Sequence, residues 1–153
     1  MQHFLTLRHG VACIALMLLV APLLALQAGA ATPAPPVDPF DDCEQYSMAD
    51  KHDCIAKLAR SSALALDKAE AKAAAAIARW DGDAKDVKQA RARLQASNAM
   101  FSAYRLHQCA FSVATVGGGA GNSRDTARLT CLAQKNLQRT QELARETDGL
   151  PRK

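Results

Sequence analysis

Cysteine and histidine are the residues of this chain best suited to chemistry, and their spacing limits what they can do. Cys54 follows His52 by two positions, and Cys109 follows His107 by two. Residues two apart on a helix point about 200° away from each other, so neither pair can readily chelate one ion. The sequence also has no Cys-x-x-Cys for zinc or thiol redox work and no Cys-x-x-Cys-His for covalent haem. We therefore predict no cofactor and no metal, with metal binding as a weaker alternative.

The four cysteines after residue 30 are better explained as structural disulfides. Cys109 and Cys131 lie eleven residues on either side of Ala120, inside the glycine-rich segment 117–121. If the flanking segments are antiparallel helices, residues equidistant from the turn face each other, which brings these two sulfurs within bridging range. Four cysteines formally allow three pairings, but the same layout favours Cys43 with Cys54, a bridge that folds the N-terminal segment onto the first long helix.

The first thirty residues are typical of a cleaved secretory signal peptide. Arg8 precedes an apolar run over residues 11–26, and small residues at 28–30 suit a cut before Ala31. The alternative is an uncleaved membrane anchor, but the run is barely of spanning length and contains Pro22. Residues 31–39 form a proline-rich tether. We expect a periplasmic or secreted protein with no stable membrane anchor after cleavage.

The remaining chain, residues 40–148, predicts one all-α domain: a disulfide-stapled three-helix bundle of antiparallel hairpins, followed by a tail over 149–153. Ser47 resembles an N-cap for a first helix that ends near Trp80, a second helix is expected over about 84–116, and Ser123 is the expected N-cap of the third. The predicted apolar positions are Ile55, Leu58, Leu66, Ala69, Ala73, Ile77 and Trp80 in the first helix, Val87, Leu94, Phe101, Tyr104 and Phe111 in the second, and Leu129, Leu132, Ala133, Leu137, Leu143 and Ala144 in the third.

Charge and motif content argue against several classes of function. Residues 31–153 have a net charge of +3, and the charges alternate in sign along the chain, which is typical of solvated helix faces rather than of a nucleic-acid-binding stripe. The chain has no Gly-x-Ser-x-Gly, and its glycine segment lacks the Gly-Lys-Ser/Thr ending of a P-loop. We predict neither nucleic acid binding nor enzymatic activity.

A family resemblance emerges from residues around the cysteines. Phe101 to Arg105 reads Phe-Ser-Ala-Tyr-Arg and leads to Cys109, while Cys131 is followed by Arg-Thr-Gln-Glu-Leu at 139–143. Together with the order and spacing of all four cysteines, this pattern resembles the lysozyme inhibitor LprI-like family of small secreted helical domains. The chain is similar to a divergent member, because Phe101 stands where the family commonly has Trp.

The resemblance implies a secreted envelope module that binds a protein partner, in its sharpest form a lysozyme whose cleft it occludes. The alternatives are an envelope interaction or structural domain without lysozyme inhibition, and a small-ligand or metal binder. A loop on a braced scaffold is the physically sensible inhibitory element, with Arg124 or Asn122 as the inserted group. Arg105 and Arg139 either contact the partner or, as we favour, orient the helices, with Glu142 as a potential ion-pair partner. The candidate partner-binding residues are Gly117, Gly118, Gly119, Asn122, Arg124, Arg105 and Arg139.

Overall fold

The computed structural model describes residues 38–117 and 122–153, and within them the fold is helical. Its elements are α1 (Asp41–Glu44), α2 (Met48–Arg79), α3 (Ala84–Thr115) and α4 (Ser123–Thr147). The three long helices confirm the predicted all-α fold, while the short α1 was not predicted. The expected signal peptide over 1–30 and most of the tether, residues 31–37, lie outside the described residues.

Two serine N-caps were predicted from the sequence, and the structure confirms the one at Ser47 but not the one at Ser123. Ser47 is the N-cap of α2: its Oγ accepts a hydrogen bond from the backbone nitrogen of Asp50 at 3.4 Å and donates one to the Asp50 carboxylate at 2.6 Å. The prediction that Ser123 caps the last helix is wrong. Ser123 is the first residue of α4 and Asn122 precedes it as N-cap, without a capping hydrogen bond from its side chain.

The core is made mainly by α2 and α4, which share the largest interface in the bundle. Its centre is formed by Leu66, Ala73 and Leu143, with Leu94 and Phe101 of α3 packed against it. Small side chains such as Ala73 let the helix axes approach closely. The predicted stripe of α2 is confirmed at its buried members Ile55, Leu66, Ala73 and Ile77.

The predicted aromatic face of α3 is right at one of its three aromatic residues. Phe101 packs on the core, but Tyr104 and Phe111 are 51% and 64% exposed. For Phe111, the reason is the orientation that Cys109 imposes. Because Cys109 is 1% exposed and residues two apart on a helix differ by about 200°, the inward position of Cys109 turns Phe111 outward.

The last residues fold back on the end of α2. The backbone nitrogen of Asp81 donates to the carbonyl of Pro151 at 2.9 Å, and that of Lys153 donates to the carbonyl of Arg79 at 3.2 Å. These bonds place the C-terminus at the end of the bundle opposite the glycine segment. None of the helices in the described ranges combines the length and apolar character that a membrane span requires.

Candidate functional site

Both disulfides lie at the end of the bundle where α3 leads into the glycine segment. Cys43 of α1 is bonded to Cys54 of α2 with a Cα–Cα distance of 5.7 Å, and Cys109 of α3 is bonded to Cys131 of α4 with a Cα–Cα distance of 5.5 Å. Both predicted pairings are confirmed. We call this region the loop end, meaning α1, the first turns of α2, the last turns of α3 and the first turns of α4. One covalent bond joins α1 to α2 at this end, and the other joins α3 to α4.

A histidine cross-link adds a third connection at the loop end. Nε2 of His52 on α2 lies 2.9 Å from a carboxylate oxygen of Asp125 on α4, and Nδ1 lies 3.4 Å from the carboxylate of Asp53. Arg128 donates to the other oxygen of Asp125, through Nη2 at 2.7 Å and through Nε at 3.1 Å. The first turn of α4, directly after the glycine segment, is therefore tied to α2.

This network shifts both of its central pKa values. The hydrogen bond to Asp125, and then the one to Asp53, raise the pKa of His52 above its ordinary value of 6.5. The hydrogen bond from His52, and then that from Arg128, lower the pKa of Asp125 below its ordinary 3.8. The His52 contribution to stability is thus present below pH 6.5 and is lost as the pH rises through the folded pKa. The Asp125 contribution is present above pH 3.8 and is lost as the pH falls, so the pair stabilises most between these values.

The predicted loop residues are found on the surface of the loop end where the structure describes them. Gly117 has φ +74°, in the left-handed region, and no atom lies within 4 Å of the position that a Cβ would occupy. Glycine is thus favoured there by backbone conformation and not by crowding. Asn122 and Arg124 are exposed, and Gly118 and Gly119 lie outside the described residues.

Arg105 is partly buried, at the junction of three helices. Its Nη1 donates a hydrogen bond to Oδ1 of Asn136 on α4. Asn136 is 2% exposed, and its Nδ2 donates to Oγ of Ser62 on α2 at 3.1 Å, while Ser62 donates to the carbonyl of Ala59 at 2.8 Å. The side chain of Asn136 thereby joins α2, α3 and α4 in one chain of hydrogen bonds.

Arg139 makes the same kind of connection further along the interface between α3 and α4. Its guanidinium donates to Oγ of Ser97 at 2.7 Å and to Oδ1 of Asn98 at 3.2 Å, both on α3. It also lies 3.4 Å from the carboxylate of Glu142, the ion pair that the sequence suggested. With 14% of its side chain exposed, Arg139 orients two helices, and its contact with a partner stays a prediction.

The burial of Ser62 and Asn136 was not predicted from the sequence, although the spacing of the apolar residues on α2 and α4 contains a signal for it. The predicted apolar positions of α2 leave a step of eight positions between Leu58 and Leu66. Ser62 lies in the middle of this step and is 1% exposed. On α4, Asn136 lies three residues after Ala133 and seven before Leu143, hence on the same face as these two buried residues. A polar residue at a core position predicts a buried hydrogen bond.

Comparison with known protein families shows to which family the chain belongs. The family described as Lysozyme inhibitor LprI matches residues 41–143, well over half of the chain. The chain belongs to the LprI family. The match begins at α1 and runs into α4, so it includes both disulfides, the glycine segment and the three-helix hydrogen-bond chain. No curated protein and no solved structure matches this LprI-family chain.

Charge is distributed unevenly in this LprI-family protein. Residues 38–54, which include α1 and the start of α2, contain six acidic side chains and one lysine, a net charge of −5 with histidine neutral. Residues 55–153 have a net charge of +8. All six acidic residues of the first segment are exposed. The loop end therefore presents negative charge although the chain as a whole is basic.

The acidic and histidine side chains that the structure describes in the LprI-family domain are not arranged as a metal centre. Within residues 38–117 and 122–153, no group of three or more His, Cys, Asp and Glu side chains is placed to hold an ion. His52 uses its ring nitrogens on two carboxylates, as described above. What the loop end offers chemically is a crosslinked, exposed surface of hydrogen-bonding and acidic groups.

Proposed function

We propose that this protein is a secreted envelope module that inhibits a lysozyme by occluding its substrate cleft, and that it has no catalytic activity of its own. The observation that carries the proposal is membership of a lysozyme inhibitor family over residues 41–143. The two disulfides support export, because such bonds form and persist in oxidising compartments. We further propose that residues 1–30 are a signal peptide and that the mature protein acts in the periplasm or outside the cell.

Occlusion needs a protruding segment on a rigid base, and the loop end supports this route. Cys109 lies eight residues before Gly117, and Cys131 lies seven residues after Arg124, so each flank of the glycine segment is braced within about two helical turns. A braced segment loses less conformational entropy on binding than a free one. In this proposal Arg124, or Asn122 beside it, donates hydrogen bonds to the paired carboxylates by which glycosidases act.

The first test is a lysozyme activity assay with the purified, oxidised protein, with several lysozyme types, at low and at physiological salt. We expect stoichiometric inhibition that is lost when the protein is reduced and alkylated, because the loop end then loses both covalent bonds. If the oxidised protein inhibits no lysozyme type, the inhibitor proposal is wrong, and a partner-binding domain without inhibition is left.

The second test addresses the inserted group. Replacing Arg124 with Ala should weaken inhibition by about tenfold, the value of a strong hydrogen bond to a charged group, without lowering the melting temperature. The matched control is Arg145→Ala, another exposed arginine near the other end of α4. Equal inhibition by the two variants and the parent protein would remove Arg124 from the proposed mechanism.

A further inference from the structure

An open groove lies on the loop end, between the start of α2, the end of α3 and the first turns of α4. Its volume is about 450 Å³. The walls combine the apolar side chains of Met48 and Val116 with the hydroxyl groups of Ser112, Thr126 and Thr130. Met48 is 67% exposed and Val116 is 40% exposed, so two apolar side chains of this groove face solvent. Oγ1 of Thr126 is buried and has no hydrogen-bond partner among the described residues.

These walls suit one kind of side chain. Exposed apolar surface gains free energy when a partner covers it, and a buried hydroxyl without a partner gains from a donor. Lysine and arginine meet both requirements, because their methylene stems pack on apolar surface while their head groups donate hydrogen bonds and accept none.

The charge next to the groove also favours a cation. Glu44 of α1 and Lys51 of α2 line it and form an ion pair at 2.6 Å, so their own charges cancel. Asp41 lies one turn before Glu44 on the same short helix, with Asp42 beside it, and both are exposed. The segment that borders the groove keeps its net charge of −5. A positively charged partner would be attracted to this end and repelled by the remaining surface.

We infer that this groove is a docking surface for a positively charged protein, which inserts a lysine or arginine side chain between Met48 and Val116. The inference rests on the proposed function in one respect, that the partner is a lysozyme. The groove adds a contact area beside the glycine segment. In this proposal the acidic residues of α1 attract the partner, and the glycine segment blocks the substrate cleft. The negative charge of α1 would allow a chain of net positive charge to approach a basic enzyme at this end.

The groove is tested by measuring binding of the oxidised full protein to an immobilised cationic lysozyme by surface plasmon resonance. Met48→Ser should speed dissociation about fivefold, because the stem of the inserted side chain loses its apolar contact. The matched control is Met100→Ser on α3, whose side chain is 73% exposed and lies away from the groove. Equal dissociation rates for the two variants would overturn the groove assignment.

The contribution of the negative charge of α1 is tested by the same binding measurement at low salt. Asp41→Asn together with Asp42→Asn should slow association about fivefold, with an effect that shrinks as salt is added. The control is the pair Asp83→Asn and Asp86→Asn, which removes the same charge from the start of α3 at the opposite end. Equal effects of the two pairs would show that only total charge matters, and would overturn the docking surface.

Binding and inhibition are separable in this design. A lysozyme that binds the parent protein with the expected variant effects, yet keeps its activity, supports the docking surface and contradicts the inhibitor proposal. A lysozyme that is inhibited with no difference between Met48→Ser and Met100→Ser supports the inhibitor proposal and overturns the docking surface. Absence of binding to every lysozyme type used in the activity assay, cationic ones included, overturns both.

Discussion

Asn136 offers the most direct test of how the three long helices are held together. It is 2% exposed, accepts a hydrogen bond from Arg105 and donates one to Ser62. A neutral hydrogen bond contributes about 1 kcal/mol, and one to a charged group about 1.5–3 kcal/mol. Replacing Asn136 with Ala removes both bonds at once. We expect the free energy of unfolding to fall by about 3 kcal/mol, which is a large part of the stability of a small domain.

The measurement is urea unfolding of the oxidised protein, followed by far-UV circular dichroism and by the fluorescence of its single tryptophan. Gln138→Ala is the control, because Gln138 is an exposed amide on the same helix, and its loss should change the free energy of unfolding by less than about 0.5 kcal/mol. If Asn136→Ala destabilises no more than Gln138→Ala, the hydrogen-bond chain does not stabilise the bundle.

A second variant separates lost hydrogen bonds from lost packing. Asn136→Leu keeps the number and branching of the side-chain heavy atoms but leaves the guanidinium of Arg105 without its acceptor, and Nε of Arg105 already lacks a partner among the described residues. The double variant Asn136→Leu with Arg105→Met removes the whole polar pair. Since a partly buried guanidinium without its acceptor costs more than an apolar replacement of both partners, the double variant should be more stable than Asn136→Leu alone. The reverse order would refute this reasoning.

Two further predictions concern the loop end. Replacing Cys109 and Cys131 by Ser should lower the free energy of unfolding by about 3 kcal/mol, the chain-entropy value for a crosslink across 22 residues, and urea unfolding without any such loss would contradict it. His52→Gln keeps a polar side chain that cannot become charged, so the stability difference between parent and variant should be larger at pH 5.5 than at pH 8, because the parent loses the His52–Asp125 contribution as the pH rises. Thermal unfolding of both proteins at the two pH values measures it, and a difference independent of pH would contradict it.

The sequence predicted the helices well because their signals are local. Residues 48–79 contain neither Gly nor Pro, Ser47 provides a capping side chain, and Gly82 follows the end of α2. The orientation of α3 was harder, because its apolar residues do not form one narrow stripe. The disulfide could have resolved it: once Cys109 is assigned to the interior, Phe111 must point away from it.

The buried polar residues could not be assigned from periodicity alone. Ser62 and Asn136 occupy core positions on their helices, but their partners come from other helices, and no local pattern shows which side chains meet. The same limit applies to His52 and Asp125, which are 73 residues apart in sequence. Such contacts depend on the relative rotation of packed helices, which the sequence pattern of each helix leaves open.

The distribution of buried residues gives a reason for the position of the Cys109–Cys131 disulfide. Cys109 is the one residue of α3 that is fully buried. The centre of the bundle, by contrast, has a buried apolar cluster of Leu66, Ala73 and Leu143. The last turns of α3 therefore have no large apolar anchor of their own, and the bond to Cys131 takes that role. When this bond is reduced, the loop end should separate before the centre of the bundle unfolds, because local stability follows local burial. A loss of partner binding on reduction would then result from displacement of the loop end and the groove, while most of the helical structure is still present.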